Sequence, residues 1–404
     1  MKKRLIAFAL ASVSALGGLS FAACKNETKE QADLPENYTR LYGFESYGEF
    51  MSVTQLDYFG KYALCTDKKY VKQGDSSVKL EVSGGGAGND KPGLCFTPQL
   101  LGENKQNFSK AERVVFDIYN AESTAKTCYF DAFFATGGED VSAGEVSYEL
   151  KPESWTKCVY DLDYDSLSFV YDLSQCKSLR LRFDGVKLGE EKPVFYLDEL
   201  LVKSVSGERA EPEIALEKDE ICDFEKDYQQ NIMFFSGYGA YTPYLPEASI
   251  NTDKKYVSHG EKSLKLHIPH GSNQQSCYVL MIFSQKLIEK LNFASYGEDY
   301  DIVFDFYNDS DSTFFLESQL WAANADGTTR GLYGVALDTT PRTWTKCRLS
   351  LAEFLKRVPE KEDETPALEA VSSFRINYGD FVGSGPEDDK DVYIDNIRFE
   401  KREK

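Results

Sequence analysis

Short runs in which apolar and polar residues alternate recur along this chain, and each predicts a half-buried strand. Val78-Lys79-Leu80-Glu81-Val82 is one, and Leu264-Lys265-Leu266-His267-Ile268 is another. Residues 178–183 and 373–378 alternate as cleanly. Further strands are predicted over 113–119, 128–134, 155–162 and 194–202, and over 301–307, 314–320, 344–349 and 392–399. Residues 84–90, rich in Gly, predict a flexible loop. A helical period appears only over 286–291 and 351–358. Many short strands separated by turns predict an all-β chain of the β-sandwich kind.

The strands come in two matching sets. Thr66-Asp67-Lys68-Lys69-Tyr70-Val71 returns as Thr252-Asp253-Lys254-Lys255-Tyr256-Val257, and both phrases run on to Gly, Ser and Lys-Leu. Gly43-Phe44-Glu45 pairs with Asp223-Phe224-Glu225, Trp155-Thr156-Lys157-Cys158 with Trp344-Thr345-Lys346-Cys347, and Tyr196-Leu197-Asp198 with Tyr393-Ile394-Asp395. The order is kept while the offset grows, which places insertions in loops of the second copy. Two tandem β-sandwich domains are therefore expected, at 39–204 and 220–401, joined by a linker over 205–219. Each is long enough for its own core. Trp155 and Trp344, repeated in strand context, are expected in those cores.

The start of the chain reads as an address. Lys2, Lys3 and Arg4 precede an apolar run, and Ser20-Phe21-Ala22-Ala23-Cys24 follows it. That pattern describes a signal peptide over 1–23. The alanines before Cys24 resemble the lipobox of bacterial lipoproteins, although Phe21 stands where an aliphatic residue is usual. The resemblance implies lipidation at Cys24 and a chain held on the outer side of the cell membrane. Residues 24–38 are polar and read as a tether.

A net charge of -20 argues against nucleic acid and anionic headgroups as partners, because like charges repel. Aromatics reach 14% of residues, which suits packed sheet faces. The nine cysteines contain no Cys-x-x-Cys, so zinc ribbons have no support, and no disulfide pair can be named from spacing.

The opening Phe-Glu, the Tyr-Val-x-x-Gly-x-x-Ser-x-Lys-Leu phrase and the closing Tyr-x-Asp resemble the galactose-binding-like jelly rolls, the fold of many carbohydrate-binding modules. The resemblance spans both repeats. It implies a glycan partner and one structural calcium per domain, held by Glu45 with Asp198 and by Glu225 with Asp395. Calcium takes oxygen ligands, and two carboxylates supply part of such a shell. Asp67 and Asp253 are possible additions to it.

A sugar site needs aromatic faces edged by short polar groups. The candidates are Tyr58, Phe133 and Arg180 in the first copy, and Tyr238, Tyr241, Trp321 and Arg375 in the second. Tyr238 lies between glycines and Trp321 leads toward a polar loop, so both are expected on loop rims. No nucleophile elbow, phosphate loop or zinc-protease motif occurs, and the three histidines form no metal motif. The expected function is a non-catalytic, surface-anchored glycan-binding lipoprotein. The alternatives are an interaction or assembly protein with an envelope protein partner, and a glycan-active enzyme or its accessory subunit.

Overall fold

The computed structural model describes residues 34–403 except 57–59, 84–90, 103, 137–138, 186–191, 238–246, 269–278, 312, 324–328, 357–367 and 380–388. Cys24, the expected lipidation residue, and Tyr58, Tyr238 and Tyr241 lie outside the described residues. Among the described residues, no helix is long and apolar enough to cross a membrane.

The first half holds β1 (Tyr38–Tyr42), β2 (Val53–Leu56), β3 (Gly60–Cys65), β4 (Ser77–Val82), β5 (Gly93–Phe96) and β6 (Ala111–Asn120). It continues with β7 (Lys126–Thr136), β8 (Glu139–Ser142), β9 (Val146–Leu150), β10 (Ser154–Asp161), β11 (Asp172–Phe183) and β12 (Val194–Ser204). One antiparallel sheet runs β10-β6-β12-β4-β3, with β1 also on β12. The other runs β2-β5-β11-β7-β8, with β9 also on β7.

The second half holds β13 (Glu220–Cys222), β14 (Met233–Gly237), β15 (Glu247–Asn251), β16 (Ser263–Ile268), β17 (Val279–Phe283) and β18 (Tyr300–Asn308). Then follow β19 (Phe314–Ala323), β20 (Thr329–Thr339), β21 (Trp344–Ser350), β22 (Val371–Gly379) and β23 (Lys390–Lys401). Its sheets run β21-β18-β23-β16-β15, with β13 on β23, and β14-β17-β22-β19-β20. This is the order of the first half, except that β20 alone borders β19 where both β8 and β9 border β7.

The alternation seen in sequence is the reason each sheet has one dry face. In β11, Leu179, Leu181 and Phe183 point inward and are buried, while Arg180 and Arg182 point out. One apolar cluster fills the first half, built on residues such as Phe96, Phe116, Phe130 and Leu197. A second, around Phe224, Phe304, Leu320 and Phe374, fills the other half. The helices are short: α1 (Tyr47–Met51), α2 (Tyr164–Val170), α3 (Gln285–Leu291) and α4 (Leu351–Lys356). The Ser284 hydroxyl accepts from the Leu287 peptide to start α3, and left-handed Asn292 ends it.

Trp155 and Trp344 are not core residues. Each lies half-buried on the outer face of its first sheet. There the rings Tyr70, Tyr196, Tyr119 and Trp155 form a ladder, with Tyr70 stacked on Tyr196 at 4.0 Å. Tyr256, Tyr393, Tyr307 and Trp344 repeat it, with a stack at 4.1 Å. Trp155 takes that outer face because it stands an odd number of residues from the inward Cys158 and Tyr160 of the same strand.

The segment between the halves is held in place. Ile214 is buried in the second core, Tyr164 donates to the Ala210 carbonyl, and Arg209 lies 4.3 Å over the Tyr164 ring. Phe169 of α2 stacks on Tyr228 of the second half at 5.2 Å. Phe234 of β14 and Ile282 of β17, on the outer face of the second half, are buried within the first half's apolar cluster.

Candidate functional site

Two arrangements recur in both halves. The first is a carboxylate clamp on the repeated Gly turn. Glu45 Oε1 accepts from the peptides of Asp75 and Ser76 at 2.9 and 3.2 Å. Asp198 Oδ2 accepts from Lys72 and Gln73 at 2.7 and 3.1 Å. The two acids thus hold opposite ends of one turn. In the second half Glu225 accepts from Glu261 and Lys262, and Asp395 from Ser258 and His259.

Left-handed residues aim these acids. Phe44 (φ 60°) and Phe224 (φ 62°) precede Glu45 and Glu225, while Glu199 (φ 55°) and Asn396 (φ 56°) follow Asp198 and Asp395. In β12 the register shifts just past Asp198, a bulge that re-aims its side chain. Gly74 and Gly260 are left-handed too, and a Cβ there would come within 2.1 and 2.2 Å of Glu45 and Glu225. Burial pushes Asp198 up to about 7 and Asp395 up to about 6, against the hydrogen bonds each accepts.

These carboxylates can be asked whether they fit calcium. The oxygens that face the turn already take N–H donors. Among the described residues, no group of three or more His, Cys, Asp or Glu side chains could hold a metal. Asp67 and Asp253 cap short helical turns, accepting from Lys69 and Lys255 at 3.0 Å. Asp198 Oδ1 accepts as well, from the Glu199 peptide at 2.9 Å, so a calcium ion would rely on the second oxygens of Glu45, Glu225 and Asp395 and on carbonyls.

The second arrangement lies on the outer face of each second sheet. In the first half Arg180 is in register with Cys95 and Thr54 on one side and Asp131 on the other. Ser178 is in register with Phe133, and Phe133 with Ser142. The Arg180 guanidinium lies 3.5 Å over the Phe133 ring. Burial lowers the Arg180 guanidinium from its ordinary range. Ser142 donates to Asp131 Oδ2 at 2.6 Å, while Asp131 Oδ1 is buried with no partner. Burial pushes the Asp131 carboxyl up to about 6, against the Ser142 bond and the Arg182 charge. Arg182 bonds Glu145 at 3.4 Å, and Lys91 lies 3.6 Å over Tyr129. Gly93 is required beneath this row, since a Cβ there would meet the Leu181 carbonyl at 2.3 Å.

The second half repeats the geometry with other chemistry. Arg375 pairs with Gln319, and Trp321 with Ser373, so Trp321 occupies the place of Phe133. The Arg375 guanidinium lies 4.4 Å from the Trp321 ring centre and donates to Ser373. Trp321 donates to Gln319, Gln319 and Asn377 both donate to Glu317, and Asn377 Oδ1 is buried without a partner.

The structure brings Phe133 together with Arg180 and Trp321 together with Arg375. It corrects the expectation of loop aromatics. Phe133 is a buried strand residue under a guanidinium, and Trp321 lies half-buried within β19. Arg375 is 8% exposed. Asp131, Gln319, Glu317 and Asn377 were not singled out as binding residues. Their signal is a polar residue at alternate positions of an otherwise apolar strand.

No protein-family profile matches the chain, and no curated protein matches it. Solved structures do overlap it. A tandem pair of family 22 carbohydrate-binding modules from Paenibacillus barcinonensis is 16% identical, with a TM-score of 0.29, over 92% of this chain and 99% of that one. The family 11 carbohydrate-binding module of a cellulosomal cellulase from Clostridium thermocellum is 12% identical, with a TM-score of 0.33, over 47% of this chain and 97% of that one. Scores this low carry no argument about the ligand of this chain.

Proposed function

We propose that this chain is a non-catalytic glycan-binding protein that reads sugar on the outer face of the second sheet in each half. The observation that supports it is the repeated pairing of an arginine with an aromatic ring, Arg180 on Phe133 and Arg375 on Trp321. A guanidinium offers fixed donors to ring oxygens and hydroxyls. Two buried acceptors without partners, Asp131 Oδ1 and Asn377 Oδ1, belong to the same faces and suit hydroxyl donors that reach them. Anchoring through a lipid on Cys24 is part of the proposal, and it would set this surface outside the cell. Calcium held by Glu45 with Asp198 and by Glu225 with Asp395 is a further part of it.

A glycan array on the protein without its leader, with and without calcium, tests the reading. The expected result is binding to one polysaccharide class that Arg180→Ala and Trp321→Ala each weaken by at least about tenfold, or ~1.4 kcal/mol. A folded protein that binds nothing under either condition sinks it. Binding that needs calcium would support the cation proposal separately.

A further inference from the structure

We propose that Cys128 and Cys158 close an inter-sheet disulfide when this chain folds in the presence of a disulfide oxidant. Both residues are reduced in the structure and fully buried. Cys128 lies on the inner face of β7 and Cys158 on the inner face of β10, so they belong to opposite sheets of one sandwich.

Their neighbours show that they face each other. Phe116 is in register with Cys158, and Tyr148 is in register with Cys128. Those two rings meet at 5.7 Å. Two residues further along each strand, Phe130 meets Tyr160 at 5.3 Å. The cysteines' own row and the row next to it are thus bridged across the sandwich. A sandwich can carry such a staple, as the inter-sheet disulfide of antibody domains does.

The second half supplies an internal control. Cys347 stands at the place of Cys158, in register with Phe304 as Cys158 is with Phe116. Leu316 stands at the place of Cys128, in register with Tyr378 as Cys128 is with Phe183. Leucine and cysteine fill that row without any bond to make. Only the first half places two thiols there.

The reaction requires an oxidant, and oxidised glutathione serves. One thiolate attacks a glutathione sulfur, breaking its S–S bond and releasing one glutathione thiolate. The second cysteine thiolate then attacks the mixed disulfide, forming the protein S–S bond and releasing the second glutathione. Two protons leave the protein thiols and end on glutathione. The thiolate is the attacking species, and in the folded chain the neighbouring thiol and burial hold Cys128 well above its ordinary range. The bond therefore closes before the sandwich does, during folding rather than after it.

The test is to unfold the full chain and refold it either in a glutathione redox buffer or in dithiothreitol. After oxidative refolding, Cys128 and Cys158 should resist alkylation under denaturing conditions. Their joined peptides should be lighter by two hydrogens. The unfolding equilibrium should favour the folded state by about 500-fold more than after reductive refolding, the chain-entropy value for a loop of this length. Cys128→Leu rebuilds the Leu316–Cys347 arrangement, and its stability should not depend on the redox buffer. A folded protein in which both cysteines still alkylate after oxidative refolding overturns the proposal. So does a Cys128→Leu variant that keeps the redox-dependent shift.

Discussion

Replacing Gly74 by Ala attacks the carboxylate clamp at the point where backbone and side chain meet. The position has φ +69°, and a left-handed L-residue costs about 1–2 kcal/mol. The new Cβ would also lie 2.1 Å from Glu45 Oε1. Glu45 must then leave, and the Asp75 and Ser76 peptides lose their acceptor. Two such hydrogen bonds, at about 1 kcal/mol each, add ~2 kcal/mol, which brings the total loss to about 3–4 kcal/mol. Glu45→Ala alone should cost only the second share, about 2 kcal/mol. With Glu45 already gone, Gly74→Ala should cost the backbone share alone. The double-mutant cycle in urea should therefore show a coupling of about 2 kcal/mol. Additive losses would refute the clamp. Gly260→Ala with Glu225→Ala should behave alike, since that Cβ would meet Glu225 Oε1 at 2.2 Å. Repeating the cycle in a chelator separates the roles of the carboxylate. A clamp made of peptide donors is indifferent to EDTA, whereas a chelator that lowers the stability of the unmutated chain would speak for the calcium proposal.

Burial raises Asp131, Asp198 and Asp395 to about 6, 7 and 6, above the 3.8 of a free Asp, so their protonated forms favour the folded state. That contribution is complete below about 4 and is lost as pH rises through 6 to 7. Burial alone would raise Glu400, but hydrogen bonds from Arg348 and Lys346 outweigh it and hold Glu400 down at about 2. Its contribution runs the other way and is lost as pH falls from about 4.5 toward about 2, so urea midpoints should peak near pH ~4 and fall from there to ~7, and a steady rise over that range would contradict the assignment. Phe234→Ala should cost about 3–5 kcal/mol, because the ring is buried against the other half, whereas Thr54→Ala at the equivalent place should stay within ~0.5 kcal/mol. Equal and small losses by thermal melting would show that the two halves are not sealed there. Arg375→Lys keeps the charge but loses the planar contact with Trp321 and the buried bond to Ser373, so it should weaken glycan binding about tenfold and cost about 1 kcal/mol in the melt. Unchanged affinity in a binding titration would remove Arg375 from the site.

The repeat made the strand order legible, because Val78–Val82 and Leu264–Ile268 wear the same alternation at the same place in each sandwich. The outer-face arginines were legible for the same reason, since Arg180 and Arg375 hold one register position in two copies. What covers a face was not legible. Met233-Phe234-Phe235 and Met281-Ile282-Phe283 are unbroken apolar runs, so their pattern does not say which residues face their own core or that another sandwich covers the rest. Nor does a repeated tryptophan say which face it takes, and Trp155 and Trp344 took the outer one.

The hidden cover makes the two faces unequal. In the first half the row runs Thr54, Cys95, Arg180, Asp131, and its far side is polar or exposed. In the second half the same row runs Phe234, Ile282, Arg375, Gln319, and its first two members are sealed against the first half. A ligand on the second face can lie only over β22, β19 and β20, while on the first the edge at Thr54 and Cys95 is not sealed in that way. Two copies of one sequence pattern therefore present a wide surface and a narrow one. Avidity for one polymer requires that both widths suit the same chain.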